Sequence, residues 1–459
     1  MTPSCRPLSI TRIGTLMASL ALAVSMTASG GDDVAAPAEP PAGPPRGSLI
    51  DARVESDLSI PKEAVDILTR LAKLSDLTGK AQCNVDVHSV QYNTRDPLNE
   101  PHTASAAILL PTGGDPAVCE GERPMLLYAR GTDVKKSKNM VDWEKEAESA
   151  LMIAFFAAHG FIVVLPNYLG HDTSSLPYHP FLNAESQAVD VVDALRAAKT
   201  HLATGSATKP SQKLFIAGYS QGGHVAMATH RAIERDYRGE FTVTASAPMS
   251  GPYNMVAFGD VIANREQERI NDGATILLTL LLTSYQRSYG NIYSSPSQAY
   301  NAPYDATAET LFPTDTALET LVAQGKLPAD DKAVWDPVPG ALLRDSFRTA
   351  YPTSNFRSAL QLNTLLDWTP QQPMALCGGA LDPVVFFDIN TPPAQAAFAA
   401  RGVQVPAFNL EDRSTLPEGA AADAIAQSFV ARKADGGNYH AGLVAPHCIA
   451  LAKEFFAKF

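Results

Sequence analysis

The sequence predicts an α/β fold: a mostly parallel sheet with helices on both faces, and a helical cap inserted before the strand that carries an acid. Three observations predict it. Short uninterrupted apolar runs alternate with helical patterns from about residue 125 onward. A stretch with polar–apolar alternation precedes them. Finally, residues 250–373 interrupt the alternation without a convincing buried-strand run.

The opening alternation lies in VDVHSVQY and TASAAILL, parted by a turn-like segment at Asp96-Pro97, and reads as an antiparallel hairpin. MLLYA (125–129) then precedes a helix over 144–158, and FIVVL (161–165) one over 183–198. KLFIA (213–217) leads into a helix over 222–237, followed by TVTASAPM (242–249). Much later come MALC (374–377) and VQVPAF (403–408) as last strands. A closing helix over 446–459 has Ile449, Leu451, Phe455 and Phe456 for its buried face. The inserted cap spans about 252–368. Its segment ATILLTLLLTSYQRSY (274–289) is a helix apolar enough either to pack cap on core or to line an acyl groove.

Composition allows this plan and excludes others. With 459 residues, 45% hydrophobic, the chain can bury a large core as one enlarged domain. The net charge of −12 argues against nucleic acid or an anionic membrane, since phosphate binders need surplus Lys and Arg. No repeat stands out, which disfavours coiled coils and solenoids.

Residues 1–30 read as an export signal. Arg6 and Arg12 precede the apolar stretch from Leu16 to Val24, too short to span a bilayer, and small residues follow at Thr27, Ala28, Ser29 and Gly30. The stretch resembles a bacterial lipoprotein signal, but Ser29 stands where the lipidated Cys would be, so no thioether anchor is expected. Residues 31–47, with Pro37, Pro40, Pro41, Pro44 and Pro45, read as a linker. Residues 48–459 are then the catalytic domain of a secreted or periplasmic protein without a stable membrane anchor. Removing Cys5 with the signal leaves four cysteines, an even number suited to an oxidising compartment. Of three possible pairings, Cys83–Cys119 and Cys377–Cys448 are favoured, because each pair falls within one end of the chain; free thiols remain the alternative. The absence of a CxxC pair argues against zinc.

The strongest motif is Gly218-Tyr219-Ser220-Gln221-Gly222, directly after KLFIA and directly before a helix. This is the G-x-S-x-G nucleophile elbow in its strand–turn–helix context. A serine hydroxyl is a weak nucleophile and needs a base, which needs an orienting acid. Asp382, just past MALC, is the expected acid; Asp388 already falls in the following helix. Two of the ten histidines come after Asp382. His440, in a Gly-rich loop, is the expected base, and His447 is expected to be a surface residue in the first turn of the closing helix. His159, His171, His179 and His224 read as structural or rim residues. The oxyanion is expected to meet the backbone N–H of Gln221 and a second donor after MLLYA, Thr132 first and Gly131 second. Arg130 occupies the place of the usual His there.

These residues resemble a known family, the secretory-lipase branch of the α/β-hydrolases, of the fungal lipase-A type. The resemblance rests on Arg130-Gly131-Thr132, on Pro166-Asn167-Tyr168-Leu169-Gly170, on the elbow around Ser220, and on the Asp382…His440 pair after a long helical insertion. It implies an α/β-hydrolase fold and a serine esterase or lipase acting through an acyl-enzyme, without metal or organic cofactor. The expected partner is a small-molecule or lipid ester, met by a monomer. Asn167 stands where such proteins often have Asp, a position without required chemistry. A secreted serine peptidase of the prolyl-peptidase type, an inactive binding module, and acyl transfer to an alcohol other than water are the rival readings.

Overall fold

A computed structural model describes residues 43–459 apart from 56–57, 204 and 265–268. The expected signal and most of the linker lie outside the described residues. Among the described residues nine strands form one sheet: β1 Leu49–Val54, β2 Asn84–Arg95, β3 Pro101–Thr112, β4 Gly121–Ala129, β5 Ile162–Pro166, β6 Thr208–Tyr219, β7 Val243–Met249, β8 Leu376–Gly378 and β9 Ala407–Asn409. Their order is β1-β2-β3-β5-β4-β6-β7-β8-β9. The hairpin end is antiparallel, β5 also runs antiparallel to β3, and β4 to β9 are parallel.

Both faces of the central strands are covered, which explains their uninterrupted apolar sequences. Successive residues go to opposite sides. Leu126, Val163 and Phe215 join the core cluster that holds Ile449, Leu451, Phe455 and Phe456 of the closing helix, Ala445–Phe456. Leu127, Val164 and Ile216 join the cluster beneath the helix Ala184–Leu202. Asn183 caps that helix, its side chain accepting from the Ser186 N–H.

Register brings the functional end of the sheet into one line. Gly218 of β6 pairs with Ala129 of β4 and Pro248 of β7, and Met249 pairs with Cys377 of β8. The loops leaving these strands therefore share the carboxyl edge, where open α/β sheets bind ligands. Between β7 and β8 the described chain is helical, chiefly Met255–Ala263, Ala274–Tyr289, Leu318–Ala323, Asp345–Ala350 and Asn355–Leu362. These helices have their own core, including Leu280, Leu282, Tyr285, Trp335 and Phe356.

Several expectations need correction. The edge strand β1 was not anticipated. The last strand is Ala407–Asn409 rather than 403–408, because Pro406 has no N–H to donate and contributes only its carbonyl, to Leu376. The helix expected over 144–158 is Ala147–Phe155, followed by a 3₁₀ turn that ends at Gly160, φ 89°. The expected linker does not extend to Gly47. Arg46 forks onto Asp193 at 3.1 and 3.2 Å, and the Gly47 N–H donates to the Asn93 carbonyl. No described helix is long and apolar enough to cross a membrane.

Candidate active site

Ser220 sits at φ 60°, ψ −122°, between β6 and the helix Gln221–Asp236. A non-glycine residue is held there only when its surroundings over-determine it. Here the Ser220 N–H donates to the Met249 carbonyl at 3.0 Å, and the flanking glycines permit backbone contact. A Cβ on Gly218 would lie 2.1 Å from the Gly222 oxygen, and one on Gly222 1.9 Å from the Ala129 oxygen. The elbow helix thus lies directly against the end of β4.

Asp382 follows β8, and its side chain is almost wholly buried. One carboxylate oxygen accepts from the Val384 and Val385 N–H groups at 2.9 and 3.1 Å. The other lies 2.6 Å from Nδ1 of His440. This acceptor-rich end fixes the tautomer of a neutral ring: Nδ1 carries the proton and Nε2 keeps its lone pair. The Tyr219 hydroxyl donates to the His440 carbonyl at 2.5 Å, which anchors the residue from below. Nε2 of His440 is buried without a hydrogen-bond partner among the described residues. Ser220 and His440 line the same cavity, but no hydrogen bond joins them.

His440 does not sit in a loop as expected. It lies in a π-helical turn, Tyr439–Val444, continuous with the closing helix. Such a wide turn re-aims a side chain without ending the helix and recurs at functional positions. His447 is likewise not a surface residue: it is fully buried, bonded to the Leu443 carbonyl at 2.7 Å and to Ser428 Oγ at 3.1 Å. Burial pushes its pKa down to about 4, so it is a neutral structural group.

Two backbone N–H groups flank the elbow. Those of Gln221, first residue of the elbow helix, and of Thr132, after β4, have no partner among the described residues; both residues line the cavity. Gly131 cannot serve as the second donor. Its N–H is taken by the Glu148 carboxylate at 2.9 and 3.2 Å, which also accepts from the Tyr128 hydroxyl at 2.8 Å. Burial raises the Glu148 pKa despite these donors.

Sequence reasoning also missed the structure behind these donors. Asn167, read as having no required chemistry, is 1% exposed. Its Oδ1 accepts from the Met140 N–H at 2.7 Å, and its Nδ2 donates to Ser105 Oγ at 2.9 Å. The side-chain amide of Gln221 donates to Nε2 of His179 at 2.6 Å, while Nδ1 of His179 donates to the Leu169 carbonyl at 2.8 Å. These partners lie far apart in sequence, and no local pattern marks them.

The site opens into a cavity of about 720 Å³, within the size range of small-molecule sites. Its walls are mainly apolar, with Met255, Phe258, Leu277, Leu278, Leu281 and Trp335 among them. Along the apolar helix Ala274–Tyr289, Leu277, Leu278 and Leu281 line the cavity, while Leu280, Leu282 and Tyr285 lie in the cap's own core. Among the described residues no cluster of His, Cys, Asp and Glu could hold a metal ion. Disulfides join Cys83 to Cys119 and Cys377 to Cys448. The second ties β8, which leads to Asp382, to the helix that follows His440.

Residues 148–261, which include the elbow, match the model of the prolyl oligopeptidase family. Among curated proteins none matches the sequence. A ligand-bound structure of the rice cell wall degrading esterase LipA from Xanthomonas oryzae is 31% identical, covering 90% of this chain and 98% of that one, with a TM-score of 0.73. A putative hydrolase from Legionella pneumophila is 20% identical over 89% of this chain and 97% of its own, TM-score 0.69. Candida antarctica lipase A shares the fold at 14% identity, covering 80% and 76% of the two chains, TM-score 0.54. With the elbow between parallel strands and LipA similar along nearly its whole length, the chain belongs to the α/β-hydrolase superfamily of serine esterases and lipases, in the group that contains LipA.

Proposed function

We propose that the protein is an exported carboxylic-ester hydrolase that works through an acyl-enzyme on Ser220, with His440 as base and Asp382 as its orienting acid. The observation that carries this reading is that His440, bonded to the buried Asp382, lines one apolar cavity with the strained Ser220. His440 Nε2 takes the proton of Ser220 as its oxygen attacks the ester carbonyl. The oxyanion is received by the N–H groups of Gln221 and Thr132. His440 then returns the proton to the leaving alcohol, and water releases the acid by the same steps. Closure of Nε2 onto Ser220 accompanies substrate binding, as hydrogen bonds at such sites often tighten only in the complex.

The apolar walls favour an uncharged acyl group of medium or long chain in the cavity beneath the cap, with residues 252–368 as the substrate-shaping part. The esterase named in the related structures acts on rice cell wall, so a plant-wall ester is one natural candidate and a lipid ester another. Export rests on residues 1–30 and on the two disulfides, which persist in oxidising compartments. We take the acting unit to be a monomer that needs neither nucleic acid nor membrane anchor.

The test is hydrolysis of p-nitrophenyl esters from acetate to palmitate by the mature protein, with Ser220→Ala as control. Loss of activity in that variant is expected; activity retained unchanged would remove Ser220 as nucleophile. The match of residues 148–261 to a peptidase family favours a second reading, a serine peptidase. Aminoacyl anilides tested beside the esters separate the two, and preference for the anilides would reverse the order.

A further inference from the structure

Arg130 is completely buried, the largest side chain in the core to be so. Among the described residues no carboxylate comes within 4.0 Å of its guanidinium. Its Nη1 donates to the Gly131 carbonyl at 2.8 Å and its Nη2 to the Asn167 carbonyl at 2.7 Å. Nε has no partner. The guanidinium carbon lies 4.6 Å from the centre of the Tyr168 ring, and the Tyr168 hydroxyl returns a bond to the Arg130 carbonyl at 2.9 Å. A cation withdrawn from water without a directly bonded carboxylate is costly; Asp133, Glu148 and Glu146 act on it only from beyond 4.0 Å, and stacking offsets only part of that cost.

The geometry of the peptide bond suggests what the charge does. The Gly131 carbonyl gripped by Nη1 and the Thr132 N–H belong to one planar, trans peptide unit, so the two point in opposite directions. The adjoining peptide is held from its other side, where the Gly131 N–H donates to Glu148. The Gly131–Thr132 unit is therefore fixed in orientation, with a full positive charge on its oxygen and its N–H without an internal partner. A cationic donor on the oxygen draws electron density across the amide and strengthens the N–H as a donor, as in hydrogen-bond chains.

We infer that Arg130 is a positioning residue for the reaction: it polarises the Gly131–Thr132 peptide, whose N–H, strengthened as a donor, meets the oxyanion as it forms. The inference rests on the proposed role of the Thr132 N–H. Stabilisation realised only at that stage raises kcat and leaves ground-state binding unchanged. The same charge reaches the other donor. Burial, and then Arg130, push the pKa of His179 down to about 3. The ring thus stays neutral and keeps Nε2 as an acceptor for the Gln221 side chain.

Three variants separate charge from shape: Arg130→Lys, Arg130→Gln and Arg130→Met. For the folded variants we expect kcat on a p-nitrophenyl ester to fall about tenfold for Lys and roughly 10²-fold for Met, with Gln between, while KM stays within about threefold. Affinity for a trifluoromethyl ketone, which forms an anionic adduct with the serine, should fall in step with kcat/KM. Affinity for the corresponding methyl ketone should not change. If the neutral variants fail to fold, the Lys variant and its ketone pair decide the matter alone. A folded variant with kcat within threefold of wild type, or equal weakening towards both ketones, overturns the inference. Ser220→Ala is measured alongside. Activity surviving in that variant removes the nucleophile reading itself; with that variant dead and the Arg130 variants undiminished, only the present inference falls.

Discussion

Replacing Gly222 by alanine tests the assembly of the site with one methyl group. The added Cβ would lie 1.9 Å from the Ala129 oxygen, 2.6 Å from its carbon and 2.7 Å from the Arg130 oxygen, all backbone atoms with no side chain to swing away. Real Cβ contacts essentially never fall below 3.0 Å, so the elbow helix and the end of β4 must separate by at least 3.0 − 1.9 = 1.1 Å. Gln221 leads the first element and Thr132 follows the second, so the separation widens the gap between the two proposed oxyanion donors. A misplacement of about 1 Å costs on the order of 10²-fold in rate, or about 2.7 kcal/mol of barrier. Overpacking should also lower stability by about 1–3 kcal/mol. The assay is kcat on a p-nitrophenyl ester, with a thermal melt to show that the variant is folded. Gly239→Ala is the control, since a Cβ there meets nothing within 4 Å. A folded Gly222→Ala enzyme keeping more than about a third of wild-type kcat would refute the reasoning.

Acidification should unfold the protein through its buried histidines. Burial lowers His159, His224 and His447 to about 4 and His179 to about 3, so between pH 6.5 and 4 the unfolded chain binds protons that the native one does not, and stability falls as pH drops. Asp190, raised to about 7 by burial, acts in the opposite direction, as do Glu148 and Asp193, but burial lowers His88, His171 and His201 too, so seven histidines stand against three carboxyls; a melting temperature flat from pH 7 to 4.5 contradicts this. Removing Cys377 and Cys448 together, as serines, should cost about 4 kcal/mol, and so should removing Cys83 and Cys119. Only the first pair borders Asp382 and His440, so a larger drop in kcat is expected there, and equal losses would count against that placement. Leu278→Trp should shift preference in the ester series from long to short acyl chains, because Leu278 lines the cavity; an unchanged profile would place the acyl group elsewhere.

The sheet was legible wherever burial on both faces left a continuous apolar run, as in MLLYA, FIVVL and KLFIA. It was legible too where polar–apolar alternation marked a one-sided strand, as in VDVHSVQY, but not at the exposed edge. Strand β1 carries Asp51 and Arg53 on an exposed edge and has no apolar run to read. The elbow was the plainest signal, because its glycines are required by backbone contact rather than by preference. The rest of the site was harder for physical reasons. His440 lies in a Gly-rich stretch that reads as a loop, and nothing local distinguishes a π turn from one. Arg130 is a type usually found at the surface and His447 one of intermediate burial, so the full burial of either is not read from composition. Gly131 and Thr132 differ as donors only through Glu148, whose contact with Gly131 is a tertiary fact.

The order of elements along the chain sorts the proposed machinery into two consignments. Everything that would recognise and attack the carbonyl (Thr132, Ser220, Gln221) precedes the cap, and everything that would move protons (Asp382, His440) follows it. The two meet along a narrow seam where Met249 pairs with Cys377 and the Ser250 N–H donates to the Cys377 carbonyl at 2.7 Å. The proton-moving portion has its own sulfur bridge behind it. Substrate range can therefore drift by insertion, deletion or wholesale exchange between β7 and β8 while both consignments keep their own fastenings, which makes the cap the natural point of divergence among proteins built on this plan.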